Sequence, residues 1–257
     1  MSSSASRRVQ QVGLDRLVRL EWLERTASLV LAGNDDLIIK STLQEDLGGS
    51  FRSSAVEVRG SLDKTITILQ KVWGNPPSEI EPLHADGLAL LTRFPPREHP
   101  PIHWGMLMAA YPFWSNVATQ VGRLLRLQGS AAAAQVQRRI REQYGERETV
   151  ARRARYVLRS YLDWGVLQET GELGVYRAAS PYVVDDPQLV VWLAEAALSA
   201  RANGTAPLRE LLEGPSLFPF QLTPMSPERL ASLAPRLELL RHGLDDDLVM
   251  LHREGKH

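Results

Sequence analysis

Arginine is the residue type whose number and spacing most clearly indicate a chemical task in this sequence of 257 residues. Ten arginines and no lysine lie between Arg123 and Ser160, against three glutamates. A guanidinium carries a permanent charge and five N–H donors in a planar fork, which suits phosphate groups and the edge of guanine. A local excess of such groups is typical of a surface that binds a polyanion.

The positive charge is concentrated in the middle of the chain, although the formal net charge of the whole sequence is zero. Residues 101–180 contain 11 basic and 6 acidic side chains, whereas residues 1–100 contain 12 and 13, and residues 181–257 contain 7 and 11. This distribution favours a nucleic-acid partner for the middle segment. The alternative is that its arginines form ordinary solvated faces paired with the nearby glutamates.

Other chemistries find little support in the sequence. The chain has no cysteine, which excludes disulfides, thiolate zinc sites and cysteine nucleophiles and fits a reducing cytoplasm. His99 and His103 have the spacing of residues that share a helical face, but Pro100 and Pro101 lie between them and no nearby carboxylate pair completes a ligand set. The sequence therefore predicts no metal at this pair.

Two further segments resemble functional motifs but lack features that those motifs require. The segment ending in Lys64 and Thr65 resembles a phosphate-binding loop, but Asp63 replaces the glycine that should precede the lysine. The aspartates at 245–247 are consecutive, so their carboxylates diverge, and they are typical of a solvated turn. No serine, histidine and aspartate stand in the context of a catalytic triad. The sequence thus predicts a protein that is not an enzyme and that uses no cofactor.

Apolar residues at helical spacing predict the elements that carry these side chains. The predicted helices are 14–31, 35–47, 54–73, 83–94, 102–111, 113–127, 131–144, 148–163, 187–202, 207–212 and 227–240. Four prolines between residues 95 and 101 predict a domain junction. The segment 217–222 contains a proline where a central strand would need a donor, and it is predicted to be a packed loop.

The arginine-rich helices are followed by a predicted β-hairpin. Helices 131–144 and 148–163 are joined by a turn at Gly145, and strands 166–169 and 173–177 flank a turn of three residues. In the second helix an apolar stripe leaves Arg152, Tyr156 and Arg159 on the opposite side.

Residues 113–179 resemble the winged helix-turn-helix superfamily in the order, lengths and charge of these elements. The resemblance implies that helix 148–163 enters the major groove of DNA. The side chains that it assigns to bases or phosphates are Arg138, Arg139, Arg141, Arg147, Thr149, Arg152, Arg153, Tyr156 and Arg159. One departure is that Glu169 and Glu172 flank the presumed wing tip, where they would repel a DNA backbone, so the wing could instead face protein.

We therefore expect a mainly α, multi-helical protein with a central winged-helix domain that carries a small β-hairpin. The expected domains are 1–97, 98–180 and 181–257. The expected partner is double-stranded DNA, with protein partners or a homodimer as further possibilities, and the alternative function is that of an adaptor whose winged helix docks protein. No run of about eighteen apolar residues indicates a membrane span, and the expected location is the cytoplasm.

Overall fold

A computed structural model describes residues 10–51, 55–242 and 246–252. Over these residues the protein is mainly helical with small sheets, which confirms the predicted class. The helices are α1 (Leu20–Leu31), α2 (Asp36–Gly48), α3 (Ala55–Leu69), α4 (Glu81–Arg93), α5 (Pro100–Ala110), α6 (Pro112–Gln128), α7 (Ala133–Tyr144), α8 (Glu148–Asp163), α9 (Pro187–Ser199), α10 (Leu208–Leu212) and α11 (Pro227–Leu233).

The strands form three small sheets. They are β1 (Ala131–Ala132), β2 (Leu167–Glu169), β3 (Val175–Ala178), β4 (Tyr182–Val184), β5 (Thr205–Pro207), β6 (Phe220–Leu222), β7 (Leu237–His242) and β8 (Asp246–Leu251). One sheet has the order β1-β3-β2, a second pairs β4 with β6 in parallel, and a third has the order β5-β8-β7.

The N-terminal segment differs from its prediction. Helix α1 begins at Leu20, so the predicted start at residue 14 was wrong, and residues 11–19 form no helix. Leu14 and Val18 are nevertheless buried, and Leu14 adopts a left-handed backbone with a φ of 59°. Apolar residues in this segment therefore contact the core without continuing the helical pattern.

Helix α2 begins as its sequence predicts. The carboxylate of Asp35 accepts hydrogen bonds from the backbone N–H groups of Leu37 and Ile38, both at 2.9 Å. This satisfies two of the free donors at the helix N-terminus. Helix α3 also follows its prediction and continues into a π-helical turn, Gln70–Gly74, which buries Trp73.

Two residues of the proline-rich segment begin a helix. Pro100 and Pro101 occupy the first turn of α5, where a missing backbone N–H costs no hydrogen bond, and both are buried. His99 occupies the N-cap position of this helix without a side-chain capping hydrogen bond, and His103 lies in its first turn. The prediction that the prolines would keep these two histidines off one helical face was wrong for this reason.

Two predictions in the C-terminal segment were also wrong. Residues Phe220–Leu222 form strand β6 rather than a loop. Pro219 lies just before this strand, so its missing N–H is not needed for strand pairing. Its carbonyl accepts a hydrogen bond from the N–H of Tyr182 at 2.9 Å. The helix predicted over 227–240 ends at Leu233. The strand β7 follows and pairs with β8, so tertiary pairing overrides the helical propensity of its leucines.

Buried side chains from all three predicted domains form one continuous core. Polar contacts also cross the predicted boundaries: the indole N–H of Trp192 donates to the carbonyl of Leu83 at 2.9 Å, and that of Trp104 donates to the carbonyl of Ser216 at 3.1 Å. Helix α5, which is entirely buried, lies at the centre of this core. The division into three domains stays a prediction.

Candidate nucleic-acid interface

The arginine-rich helices belong to one compact arrangement of helices and strands. Helix α6 leads into β1, then α7 and α8 follow, and the chain returns through β2 and β3. Strand β3 pairs antiparallel with both neighbours, with Ala131 opposite Tyr176 and Leu167 opposite Ala178. The two predicted hairpin strands are therefore present with slightly shifted bounds.

Strand β1 is the element that the sequence did not predict. Residues 131 and 132 were predicted as the first residues of a helix, which was wrong. Gly129 ends α6 with a φ of 73°, and the chain then pairs with β3 before α7 begins, while Ala133 donates to the carbonyl of Gly174 at 2.8 Å. The third strand fixes the hairpin beside the start of α7.

Helices α7 and α8 bury apolar stripes and leave their charged faces outside. Val136 and Ile140 of α7 are fully buried, as are Ala154 and Tyr161 of α8. The hydroxyl of Tyr161 donates to the carbonyl of Trp114 in α6 at 2.8 Å, which fixes the rotation of α8 about its axis. The faces opposite these stripes carry the charged side chains, which are exposed or partly buried.

Most of the predicted site residues are accessible. Exposed side chains are those of Arg138, Arg147, Thr149, Arg152 and Arg159. Partly buried side chains are those of Arg139, Arg141, Arg153 and Tyr156. The predicted set is therefore spread over the outer faces of α7 and α8 and the turn between them.

Helix α8 carries an exposed row of arginines, of which the predicted site includes only a part. Arg152, Arg155 and Arg159 are all exposed and follow one another at intervals of three and four residues, which places them on one helical face. Seven residues of helix span about 10 Å. Arg155 was missed, although its spacing from Arg152 and Arg159 could have identified it.

Some of these arginines are paired with glutamates and others are not. Ion pairs join Arg138 to Glu142 at 3.7 Å, Arg141 to Glu146 at 3.5 Å, and Arg155 to Glu148 at 3.1 Å. Exposed pairs of this kind contribute little stability and exchange easily. Arg139, Arg152 and Arg159 have no ion-pair partner among the residues that the structure describes.

Arg153 has a different role from its neighbours. Its guanidinium donates to the backbone carbonyl of Val12, in the segment that precedes α1. One of the predicted DNA-binding side chains is thus already used to hold another part of the chain.

A polar cleft between α6 and α7 adds to the basic surface. It has a volume of about 500 Å³ and is lined by Gln120, Arg123, Arg138, Arg139, Glu142 and Gln143. Three guanidinium groups face one carboxylate there, so the cleft has a local excess of positive charge that suits an anionic group such as a phosphodiester.

A second cluster of charged residues is partly buried: its two histidines are buried, and the side chain of its glutamate is 35% exposed. Glu24 of α1 meets His99 and His103, and their ligand-type atoms lie within 4.8 Å of one another. The Nδ1 of His99 lies 2.9 Å from Oε2 of Glu24, and Nε2 of His103 lies 2.7 Å from the same oxygen. Glu24 could not be assigned to this cluster from the sequence, because it is separated from the histidines by 75 and 79 residues.

The hydrogen bonds of this cluster determine where its protons lie. The indole N–H of Trp73 donates to Nδ1 of His103 at 2.9 Å, so the neutral ring carries its proton on Nε2 and donates it to Glu24. The two ring nitrogens of His99 face the Glu24 carboxylate and the carbonyl of Phe94, and both of these groups only accept.

This proton arrangement does not suit a metal ion, although the three residues have the spacing of ligands. A metal at Nε2 of His103 would require the ring proton to move to Nδ1, where it would meet the N–H of Trp73. The cluster is therefore a hydrogen-bonded ionic network rather than a competent ligand set.

The pKa values of the network follow from the same contacts. Burial alone would raise the pKa of Glu24, but hydrogen bonds from His103 and His99 outweigh burial and lower the pKa to about 2. Burial lowers the pKa of His103, and the bond to Glu24 opposes this only in part. These contacts thus favour the ionised form of Glu24 and the neutral form of His103.

No family model matches this chain, and neither the curated proteins nor the solved structures searched include a match. In the part of the chain that the structure describes, no helix is both long and apolar enough to cross a membrane.

Proposed function

We propose that the chain binds double-stranded DNA through a winged helix-turn-helix formed by residues 112–178, with α8 as the recognition helix. The observation that carries this proposal is the row of exposed arginines on α8, in which Arg152 and Arg159 lack ion-pair partners among the described residues. The strand order β1-β3-β2 around α7 and α8 is also the order expected of that fold. In this proposal the protein is a regulator or a subunit of a larger DNA-transacting system.

The roles of the side chains follow from their places on the two helices. Arg147 and Thr149 lie at the N-terminus of α8, the end that approaches base edges in helix-turn-helix proteins. Arg152 and Arg159 continue along the exposed face, and Tyr156 adds a hydroxyl beside them. On α7, the side chains suited to backbone phosphates are Arg138, Arg139 and Arg141.

An adaptor role is the second candidate, and the hairpin is the feature that favours it. Glu169 and Glu172 are exposed there, and Leu173 at the tip is fully exposed, with a relative exposure of 102%. Two carboxylates would be repelled by a DNA backbone, whereas an exposed leucine between polar residues suits a protein partner. The two roles are compatible if α8 contacts DNA and the hairpin contacts protein.

We further propose that the protein acts without catalysis and without a cofactor, in the cytoplasm. A homodimer would be favoured if the target is palindromic, because two recognition helices then contact half-sites one helical turn apart.

A salt-titrated binding assay tests the DNA proposal. The native chain is compared with Arg152→Ala/Arg159→Ala, and with Arg97→Ala/Arg209→Ala as a control in which two exposed arginines outside the basic surface are removed. We expect the first variant to lose about tenfold or more in affinity for duplex DNA, and its log–log salt slope to fall by about 2 if each arginine neutralises one phosphate.

The outcomes separate the candidates. Equal affinities and equal slopes for all three proteins would overturn the assignment of α8 as the recognition helix. The adaptor role would be favoured by two results together: the native chain binds no duplex DNA, and it binds a protein partner that the Leu173→Ser variant does not bind.

A further inference from the structure

We propose that a groove between α4 and α9 binds a small zwitterionic molecule with an apolar body, whose ammonium group lies beside Asp86 and whose carboxylate lies beside Arg93. The groove is separate from the arginine surface, and none of the described residues that line it belongs to α7 or α8. The inference therefore goes beyond the proposed function and does not depend on it.

Two helical faces with the same spacing form the walls of the groove. The lining residues of α4 are Asp86, Ala89, Leu90 and Arg93. Those of α9 are Gln188, Val191, Trp192 and Glu195. Steps of three and four residues place each set along one face of its helix. Segment 233–236, between α11 and β7, also lines the groove, whose volume of about 360 Å³ suits a small organic molecule.

One end of the groove has an excess of negative charge. The guanidinium of Arg236 donates to the two carboxylate oxygens of Glu195, at 2.8 and 3.0 Å, and also to Asp86. Two carboxylates thus share one guanidinium, which leaves one negative charge uncompensated. Glu195 is buried, whereas the side chain of Asp86 is 52% exposed, so Asp86 is the carboxylate that a ligand can reach. An ammonium group compensates this charge and donates to its oxygens.

The opposite end offers hydrogen-bond donors. The guanidinium of Arg93, whose side chain is 46% exposed, donates to the side chains of Gln188 and Asp186. Asp186 also accepts from two backbone N–H groups at the start of α9, at 3.0 Å each, so its charge is shared among several donors. A guanidinium has five N–H groups, and Arg93 therefore retains donors for a carboxylate.

The two helices fix the distance between these ends. Asp86 meets Glu195 through Arg236, whereas Arg93, one residue face further along α4, meets Gln188 at the start of α9. The helices therefore run antiparallel along the groove. Seven residues of helix separate the two ends, which is about 10 Å. A ligand must then carry its charged groups at opposite ends of an extended body.

The floor between the two ends is apolar and rigid. Its buried lining residues are Leu90, Val191, Trp192 and Ala234. The indole N–H of Trp192 donates to the carbonyl of Leu83 at 2.9 Å. The far edge of the same ring packs against α5, where a Cβ added to Gly105 would lie 2.4 Å from Cζ3 of Trp192. The floor is thus formed before a ligand arrives, and it would bury an apolar body.

Isothermal titration calorimetry of the full chain with 6-aminohexanoate tests the proposal. This probe has an ammonium group and a carboxylate at the two ends of an apolar chain. Hexylamine and hexanoate are matched controls, because each keeps the chain and only one charged group. We expect 6-aminohexanoate to bind, and each control to bind about three- to tenfold more weakly, since each lacks one charged contact at a partly exposed end.

Two variants assign the binding to the groove. Asp86→Asn should lose the preference for 6-aminohexanoate over hexanoate, and Arg93→Gln should lose the preference over hexylamine. Both side chains are exposed, so we expect thermal midpoints like that of the native chain. Glu45→Gln and Arg97→Gln remove the same charges from exposed positions outside the groove and should bind like the native chain.

A third variant tests the cavity without changing its charge. Ala89 is an exposed residue of the groove wall, so Ala89→Phe fills the space from the solvent side and should abolish binding of 6-aminohexanoate. This variant also decides the case in which one of the charge variants fails to fold.

Several results would overturn the proposal. They are no binding of 6-aminohexanoate to the native chain, equal binding of either control compound, and unchanged binding in the three groove variants. An equal loss in Glu45→Gln or Arg97→Gln would show a general charge effect and would also overturn it. None of these measurements involves DNA, so the proposed function stands or falls separately.

Discussion

The exposed arginine surface of α7 and α8 and the buried Glu24–His99–His103 cluster use charge in opposite ways. On the surface, Arg152 and Arg159 have no ion-pair partners among the described residues. The ion pairs that other arginines of α7 and α8 form with glutamates have N···O distances of 3.1–3.7 Å. In the cluster, Glu24 accepts from two imidazole rings at 2.7–3.0 Å, and a third donor, Trp73, orients one of those rings.

The difference follows from hydration. A guanidinium in water keeps its solvation, so it can remain unpaired and available to a partner at no cost in stability. A charge taken out of water loses that solvation and must be compensated by nearby groups of the protein. We therefore expect surface substitutions to change binding and leave folding intact, and cluster substitutions to do the reverse.

The largest expected effect is on folding, from Glu24→Gln. This change removes the carboxylate that accepts from His99 and His103. Removal of one partner from a fully buried pair typically costs about 3–5 kcal/mol, but the side chain of Glu24 is 35% exposed, so we expect a loss of about 2–3 kcal/mol. Urea denaturation measures it. Glu21→Gln on the same helix is the control, because its exposed pair with Arg19, at 3.5 Å, should be worth less than about 1 kcal/mol. Equal losses of unfolding free energy in Glu24→Gln and Glu21→Gln would show that the cluster contributes no more to folding than an exposed ion pair does.

A second loss of stability is expected from Trp73→Phe. The phenyl ring is smaller than the indole and leaves a cavity in the core, and Nδ1 of His103 loses its donor, which by itself costs about 1–3 kcal/mol. The same change frees Nδ1 to carry the ring proton and leaves Nε2 free for a metal. We therefore expect Zn²⁺ to raise the thermal midpoint of Trp73→Phe more than that of the native chain, as measured by scanning calorimetry. A native chain that Zn²⁺ stabilises equally would contradict the proton arrangement.

Acid should weaken the fold through the cluster. Because the pKa of His103 is lowered by burial, the unfolded chain binds this proton first, and stability begins to fall as pH decreases below the ordinary histidine pKa of 6.5. The pKa of Glu24 is lowered from 4.5 to about 2, so its contribution is complete above pH 4.5 and is lost as pH falls towards 2.

The Glu24 contribution should be about 1–2 kcal/mol after allowing for its partial exposure. It is measured as the difference between the native chain and Glu24→Gln in their pH profiles of unfolding free energy between pH 6 and pH 3. Added salt should reduce this difference only in part, since the two histidines are buried whereas Glu24 is partly exposed. Identical acid slopes for the two proteins would show that other carboxylates cause the loss.

The smallest effect is expected at the hairpin. Glu169→Gln/Glu172→Gln removes two exposed carboxylates and should leave the unfolding free energy unchanged within about 0.5 kcal/mol. If the hairpin approaches the DNA backbone, affinity for duplex DNA rises a few-fold at low salt as repulsion is removed. An unchanged affinity would indicate that the hairpin faces away from DNA.

The middle of the chain was the most predictable region. Helix α8 was predicted with its observed bounds, and the hairpin strands within two residues, because the apolar stripe, Gly145 and the hairpin turn are all local signals. Strand β1 was not predictable in the same way, since two alanines have no preference for a strand until β3 lies beside them. The arginine row was visible in the sequence, whereas the use of Arg153 to hold Val12 was not.

The sequence by itself determined the mainly helical class, the concentration of arginine and the face of α8 on which it lies, because helix periodicity and charge are properties of neighbouring residues. Only the tertiary structure decided that Glu24 meets two histidines more than seventy residues away, that prolines begin a helix between them, and that the N-terminal segment follows α8. These three features depend on which segments, distant in the sequence, come into contact in the fold. Burial at those contacts then sets the protonation and hydrogen bonding of the enclosed groups.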